Sequence, residues 1–330
     1  MEVFSIIIPV YNRPEEIDDL LNSLTRQTYV HFEVIVVDDG SSIPCEPVVN
    51  AYNDRLRIRY FYIENSGPGL ARNQGVRYAE GEIVIVLDSD CIVPASYLEQ
   101  VHESLMRYKV DAFGGADRAH SSFSAIQKAV NYSMTSFFTT GGIRGSRRHL
   151  DTFYPRSFNM GMRKEVYEAL GGFSDMRYGE DIDFSIRIFK GGYKCRLFPG
   201  AWVYHKRRTD LKKFFKQVHN SGIARINLYK KYPESLKLVH LLPAAFTLGV
   251  ALLLVGGLFC PYSLLPILFY ALLVCVDSAC CNHSLRIGVY SIAASFIQLI
   301  GYGTGFWRAW WQRCILKRGE FEAFQKNFYK

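Results

Sequence analysis

The sequence predicts an α/β domain on a mostly parallel, doubly wound sheet, followed by an α-helical membrane region. Two observations predict the first part. Short β-branched runs alternate with helical patterns, and the runs are apolar at consecutive positions, as strands covered on both faces must be. The second part rests on a stretch of 39 residues, Leu238 to Val276, without Asp, Glu, Lys or Arg, about twice the ~20 residues of one helical span.

In order, the α/β reading places a strand over Ser5 to Pro9, a helix from about Pro14 to Arg26 and a strand over Phe32 to Val37. A weak helix near Pro47 to Tyr52, a strand over Ile58 to Tyr62, a helix from Leu70 to Ala79 and a strand over Ile83 to Leu87 follow. Residues 121–150 break this rhythm. There Phe123, Ile126, Val130, Met134, Phe137 and Phe138 recur near helical spacing and lead into Gly141-Gly142-Ile143-Arg144-Gly145-Ser146-Arg147-Arg148. That pattern fits an interfacial helix and a lid, and equally a core helix with a solvated loop.

Charge is unevenly spread over the 330 residues. The formal net charge is +8, yet residues 1–199 are net acidic and residues 200–237 carry ten basic against two acidic side chains, immediately before the apolar tract. A nucleic-acid binder would carry its excess on the domain that meets phosphates. Here the excess adjoins the apolar tract, which excludes nucleic acid and points to anionic membrane lipids. Lys206 to Lys237 therefore reads as a basic amphipathic juxtamembrane helix.

Gly256, Gly257 and Pro261 break the charge-free tract into a hairpin, and Ile287 to Trp307 forms a second charge-free stretch. Basic residues on both flanks (Arg286 and Arg308) oppose a third full span. Either the third segment is interfacial or re-entrant, helped by Ser295, Gln298, Gly301, Gly303 and Gly305, and keeps the tail on the catalytic side, which the charge pattern favours, or the tail is translocated despite its charge. The eight cysteines form no C-x-x-C pair and read as reduced and structural. The start of the chain lacks the basic and long apolar regions of a signal sequence, so the first unit is expected in the cytosol.

Ligands of open α/β sheets bind outside the carboxyl ends of the strands. Two strands end there in carboxylates: Asp38-Asp39-Gly40 and Asp88-Ser89-Asp90. The first also reads as a plain strand-to-turn signal. Two carboxylates one residue apart at the end of a buried strand repel each other and call for a cation. No Walker A or G-x-G-x-x-G sequence is present, so a bound diphosphate needs a divalent metal, Mg2+ or Mn2+, held by carboxylates. Glu180-Asp181 follows Gly179 and opens a helical pattern, where anions are stabilised and where an acidic residue also serves as a cap.

Ser5-Ile6-Ile7-Ile8-Pro9-Val10-Tyr11-Asn12-Arg13, then Val37-Asp38-Asp39-Gly40-Ser41, Pro68-Gly69-Leu70-Ala71-Arg72-Asn73 and Asp88-Ser89-Asp90 resemble the ordered signature of family-2 inverting glycosyltransferases of the GT-A fold. Phe158-Asn159-Met160-Gly161, Gly171-Gly172-Phe173, Gly179-Glu180-Asp181 and Val203-Tyr204-His205 extend the resemblance over about residues 3–215. It implies a nucleotide-sugar site around Pro9, Tyr11, Arg13, Asp38, Asp39, Arg72 and Asp88. It also implies a metal on Asp90, Asp88 and His205, and Asp181 as catalytic base. His205, beside Lys206-Arg207-Arg208, also reads as part of the basic surface. Glu180 is assigned to the acceptor side, and Arg144, Arg147 and Arg148 to acceptor phosphates.

The organisation expected is a cytosolic GT-A domain over residues 1–215, with a nucleotide-sugar half (1–118) and an acceptor half (119–215). The juxtamembrane segment spans 206–237, the transmembrane hairpin 238–281, the third membrane or re-entrant segment 285–307 and the basic tail 308–330. The expected function is transfer of one sugar from a nucleotide-sugar, with UDP as carrier by family frequency, to a lipid-linked or glycan acceptor at the inner face of a bacterial cell membrane, in polysaccharide or glycoconjugate biosynthesis. The segment Lys216 to Arg225 lacks the Gln-x-x-Arg-Trp pattern of processive synthases, which favours single addition. A polyprenyl-phosphate sugar synthase is the alternative enzyme, and a catalytically silent membrane scaffold the non-enzyme alternative.

Overall fold

A computed structural model of the chain describes residues 3–118, 120, 122–141 and 153–321. In chain order the elements begin with β1 (Phe4–Val10), α1 (Pro14–Leu24), β2 (Phe32–Asp39), α2 (Glu46–Asn50), β3 (Ile58–Ile63), α3 (Pro68–Arg77), β4 (Ile83–Leu87), β5 (Cys91–Ile92), α4 (Tyr97–Tyr108) and β6 (Ala112–Arg118). They continue with α5 (Ala125–Thr135), α6 (Phe137–Thr140), β7 (Asn159–Arg163), α7 (Lys164–Ala169), α8 (Glu180–Lys190), β8 (Cys195–His205), α9 (Leu211–Lys231), α10 (Leu238–Gly257), α11 (Leu265–Asn282) and α12 (Leu285–Trp310).

The chain divides into two compact units. Of the described residues, the first takes in 3–118 and 153–205, and the second 120, 122–141 and 206–321. The described part of the 119–152 segment, assigned from sequence to the acceptor half of the catalytic domain, thus groups with the helical unit.

The first unit is an eight-stranded sheet of order β3-β2-β1-β4-β7-β6-β8-β5. β3, β2, β1 and β4 run parallel, as their continuous apolar runs require, while β7 is antiparallel to both its neighbours and β5 is antiparallel to β8. Alternate residues of the same strands feed two cores. Ile6, Ile8, Val34, Val36, Ile83 and Ile85 pack with Ile17, Leu20, Leu98 and Val101 of α1 and α4 on one face. Ile7, Ile35, Val37, Val84 and Val86 pack with Ala71, Val76, Phe184 and Ile188 of α3 and α8 on the other. A side chain at Gly75 of α3 would strike the Ile7 Cγ2 at 2.5 Å, so this glycine lets α3 lie directly on the sheet. The carboxyl ends of β1, β2 and β4 come together at one edge, where the acidic motifs lie.

The second unit is helical. Phe214 and Val218 of α9, Ala129, Val130 and Met134 of α5, and Ile287 and Ala294 of α12 form its core, and Lys212, Lys213, Lys216, Lys230 and Lys231 of α9 are exposed. This is the amphipathic pattern expected of the juxtamembrane segment. The hairpin break falls at Leu258 to Cys260, between α10 and the turn that precedes α11. Among the described residues, three helices are long and apolar enough to cross a membrane: Leu238–Gly257, Pro261–Asn282 and Leu285–Ile315.

The third of these differs from the re-entrant expectation in form. α12 is one unbroken helix of 26 residues, about 39 Å long at ~1.5 Å per residue, against a hydrocarbon core of about 30 Å. Its glycines serve packing. A Cβ on Gly305 would lie 1.9 Å from the His219 carbonyl of α9, and one on Gly303 would lie 2.0 Å from Thr247 Oγ1 of α10. Small residues that let helix backbones meet are a packing device of membrane helices, and in sequence they look the same as breakers.

Candidate active site

β4 carries Asp88, Ser89 and Asp90 out of the sheet at its carboxyl end, and the two aspartates part company at once. Asp90 faces the β8 end: its Oδ1 lies 3.1 Å from His205 Nε2, and its other oxygen pairs with Arg13. Burial opposes ionisation of Asp90, but the His205 and Arg13 charges outweigh it and hold the carboxyl well below its usual range. The antiparallel register sets Cys91 directly opposite His205, so their side chains share one face of the ladder.

One donor atom each from Asp90, Cys91 and His205 lies within 4.8 Å of the others. Asp90 Oδ1 and His205 Nδ1 are buried and make no hydrogen bond. His205 stacks on Phe158 at 4.8 Å, and its Nδ1 is 3.9 Å from a carboxylate oxygen of Asp117 on β6. A carboxylate and an imidazole with a second carboxylate behind the ring is a donor set that fits a divalent cation. Asp88 does not join this group. Its Oδ1 accepts from Arg72 Nη2 at 2.7 Å.

Arg72 joins the two acidic motifs. It sits on α3, 3% exposed, and its Nη1 reaches Glu180 Oε1 at 3.1 Å while Nη2 holds Asp88. Burial penalises its charge, yet Asp88 and then Glu180 more than compensate, so its pKa rises. Next to it, Asn73 brackets the backbone of Phe173: its Nδ2 donates to the Phe173 carbonyl and its Oδ1 accepts from the Phe173 N–H, each at 2.8 Å. α3 therefore fixes both the loop before α8 and the first residue of α8.

α8 starts after Gly179, whose φ of +85° is the left-handed conformation that glycine accepts freely. Its first turn holds Glu180, Asp181 and Asp183, all buried. Asp183 is structural, since it pairs with Arg187 one turn on, and Arg187 also donates to the carbonyls of Leu170 and Gly172. Glu180 is driven towards its protonated form by burial first and the Asp181 charge second, with Arg72 opposing. Asp181 takes a different partner: its Oδ2 lies 2.7 Å from Arg156 Nε.

The residues assigned to the nucleoside cluster at the ends of β1 and β2. Asp38 is fully buried, and its carboxylate accepts from the Ser41 and Cys45 N–H groups and from the Tyr60 hydroxyl at 2.8 Å. Asp39 accepts from the N–H groups of Ser66 at 2.7 Å and Gly67 at 2.9 Å, and burial raises its pKa. Both thus shape the turns around the strand ends. Pro9 is buried within β1 opposite Val37, and Tyr11 opens the following turn, half-buried. Asn12, at φ +51°, ties this turn to the next through Ser42 and the Ile43 N–H. Arg144, Arg147 and Arg148 lie outside the described residues.

Sequence reasoning missed Tyr60, Asn73, Asp117 and Arg156. Asn73 follows Arg72 in the quoted motif, and Arg156 lies three residues before Asn159, so both sat within reach of recognised blocks. Tyr60 and Asp117 lie on strands and carried no separate signal.

The family comparison decides what these carboxylates belong to: the model of "Glycosyl transferase family 2" matches residues 5–171. The chain belongs to glycosyl transferase family 2. Glycosyltransferase AglE of Haloferax volcanii is 30% identical over 245 residues, which is 70% of this chain and 78% of AglE. The poly(ribitol-phosphate) beta-N-acetylglucosaminyltransferase TarS of Staphylococcus aureus is 34% identical over 134 residues, 37% of this chain. That match spans only 23% of TarS. Mannosyltransferase PcManGT of Pyrobaculum calidifontis, solved with GDP-Man and Mn2+, superposes with a TM-score of 0.64 at 20% identity, over 90% of this chain and 87% of that one. The domain of this family member is a mixed α/β sheet of the GT-A type, followed by a helical region with candidate membrane spans.

Proposed function

We propose that this protein transfers one sugar from a nucleotide-sugar to the hydroxyl of a lipid-linked or glycan acceptor, with inversion at the anomeric carbon, in glycoconjugate biosynthesis. The observation that carries the reading is the linked pair of acidic motifs. Asp90 and His205 supply a cation site at the end of β4, Asp181 supplies a carboxylate at the start of α8, and Arg72 ties the two motifs through Asp88 and Glu180.

In this reading Asp90 and His205, with Cys91 alongside, hold a divalent metal, Mg2+ or Mn2+. When bound, that ion supplies positive charge for the departing diphosphate. Asp181 takes the proton from the acceptor hydroxyl as the acceptor oxygen forms its bond to the anomeric carbon. The bond from that carbon to the phosphate oxygen breaks, and its electron pair leaves with the nucleoside diphosphate. Inversion follows from a single displacement, for which one carboxylate suffices and none need act as nucleophile. Glu180 beside the base is drawn towards its neutral form by burial and by the Asp181 charge, and Arg72 opposes this.

The basic stretch at 206–237 supports a catalytic unit on the cytosolic side, since positive charge flanking a span favours that side. To test the reading, the full chain in membranes is given Mn2+ and a panel of UDP-, GDP- and dTDP-sugars, and the diphosphate released is identified. One donor should be selected, and Asp181→Asn should reduce its turnover by ~10²–10⁴-fold while nucleotide binding persists. Release of no diphosphate from any donor, or normal turnover in the variant, rejects the assignment.

A further inference from the structure

Asp181 and Glu180 are neighbours in sequence, yet different arginines hold them. Arg72 ties Glu180 to the donor-side Asp88, and among the described residues Arg156 is the arginine that meets Asp181. Arg156 is placed by its surroundings. The Ser185 hydroxyl of α8 donates to the Pro155 carbonyl at 2.7 Å, and the Asn159 N–H donates to the Arg156 carbonyl at 3.0 Å. The loop is thus pinned at both sides of Arg156, one pin being on the helix that carries Asp181.

The Arg156 guanidinium meets Asp181 through its Nε, at 2.7 Å. Its side chain is 30% exposed, and among the described residues the guanidinium has no partner besides Asp181. A guanidinium has two edges on which it can bind oxyanions, and the edge formed by the two terminal nitrogens matches a phosphate in bidentate fashion. One edge here is engaged with the base, and the other is open.

We infer that Arg156 is a positioning residue that binds Asp181 through Nε and a phosphate group of the acceptor through its two terminal nitrogens. The inference rests on Asp181 being the base. Whatever occupies the open edge is then held beside the group that deprotonates the acceptor, whereas the donor diphosphate belongs with Asp90 and His205. Arg156 thereby selects acceptors that carry a phosphate and sets their hydroxyl at a fixed span from Asp181. A lysine keeps the charge but has no second edge, so Arg156→Lys can serve the base or the phosphate and not both.

The experiment uses the full chain in detergent with Mn2+. Binding of dodecyl phosphate and of inorganic phosphate is titrated against wild type, Arg156→Gln and Arg156→Lys, alongside UDP or GDP, whichever the donor panel selects. Arg156→Gln should weaken dodecyl phosphate at least tenfold and leave the nucleotide affinity within twofold. Arg156→Lys should keep nucleotide binding and weaken the phosphate probe several-fold, which decides the matter should the glutamine variant fail to fold. An equal loss for both phosphate probes assigns the site to the phosphate itself, and a loss for dodecyl phosphate alone assigns it to a lipid-borne phosphate. Either supports the inference.

Phosphate-probe affinity that is the same in wild type and variants overturns it. So does a selective loss of nucleotide affinity, which would place the donor diphosphate on Arg156. Failure of the base reading looks different: Asp181→Asn would turn over normally while the phosphate titrations stayed as predicted.

Discussion

Asp88-Ser89-Asp90 and Glu180-Asp181 are both close pairs of carboxylates, one at the end of a strand and the other at the start of a helix, and both solve the same repulsion by division. Asp90 turns to His205 and Arg13, and Asp88 turns to Arg72. Glu180 turns to that same Arg72, and Asp181 turns to Arg156. In each motif one member is tied to the buried Arg72 and the other to a different, more exposed arginine. In the proposed reading the strand pair offers its other member, Asp90, to a cation with an imidazole beside it. In the proposed reading the helix pair offers its other member, Asp181, as a base, in the field of a helix N-terminus. Two motifs that look alike in composition therefore meet different partners, and the proposed tasks follow from which partner each carboxylate meets.

The largest expected effect separates Asp90 from Asp88, the member tied to Arg72. Asp90→Asn should weaken Mn2+ binding by more than about tenfold, read by electron paramagnetic resonance of the free ion, and Asp88→Asn should change it far less. Equal losses would erase the distinction within the strand motif.

The shared arginine comes next. Replacing Arg72 by Met leaves Asp88 and Glu180 without their buried cation, and breaking a buried pair costs about 3–5 kcal/mol. A fall in Tm of the full chain in detergent measures it, with Arg72→Lys falling less. An unchanged Tm would mean that the bridge does not hold the two motifs.

The reach of this division into the sequence was uneven. The β1–β4 strands, their order of acidic endings and the start of α8 were legible because strand periodicity, turn chemistry and helix-start signals are local. Arg72 and Glu180 are 108 residues apart, and nothing local says which of two adjacent carboxylates an arginine will choose. Arg156 lies close to a recognised block, but its pairing with Asp181 is not readable locally, since the loop is held by the Ser185–Pro155 contact. Gly301, Gly303 and Gly305 show the converse. They were noticed and linked to a re-entrant segment, because a glycine that admits a neighbouring helix looks the same in sequence as one that breaks its own.

The smallest effect concerns a carboxylate far from both motifs. Glu33 is buried and accepts from Ser5 Oγ and the Glu80 N–H, each at 2.6 Å, with Arg59 at 2.6 Å. Burial opposes its ionisation, but these donors win and hold its pKa below the ordinary 4.5. Its contribution to stability is therefore complete above about pH 4.5 and is lost as the pH falls from there through the lowered value. Glu33→Gln should cost about 1–3 kcal/mol at neutral pH and flatten the acid side of the stability profile, with transfer per folded molecule unchanged. An acid limb as steep as in wild type would assign the pH dependence elsewhere.

The division of labour is tested most directly by measuring Mn2+ binding and sugar transfer side by side on Asp181→Asn and Asp90→Asn. The account predicts that Asp181→Asn binds Mn2+ as wild type does while transfer falls by ~10²–10⁴-fold, and that Asp90→Asn loses the metal. Mn2+ binding lost in Asp181→Asn, or transfer kept in it, would contradict the account.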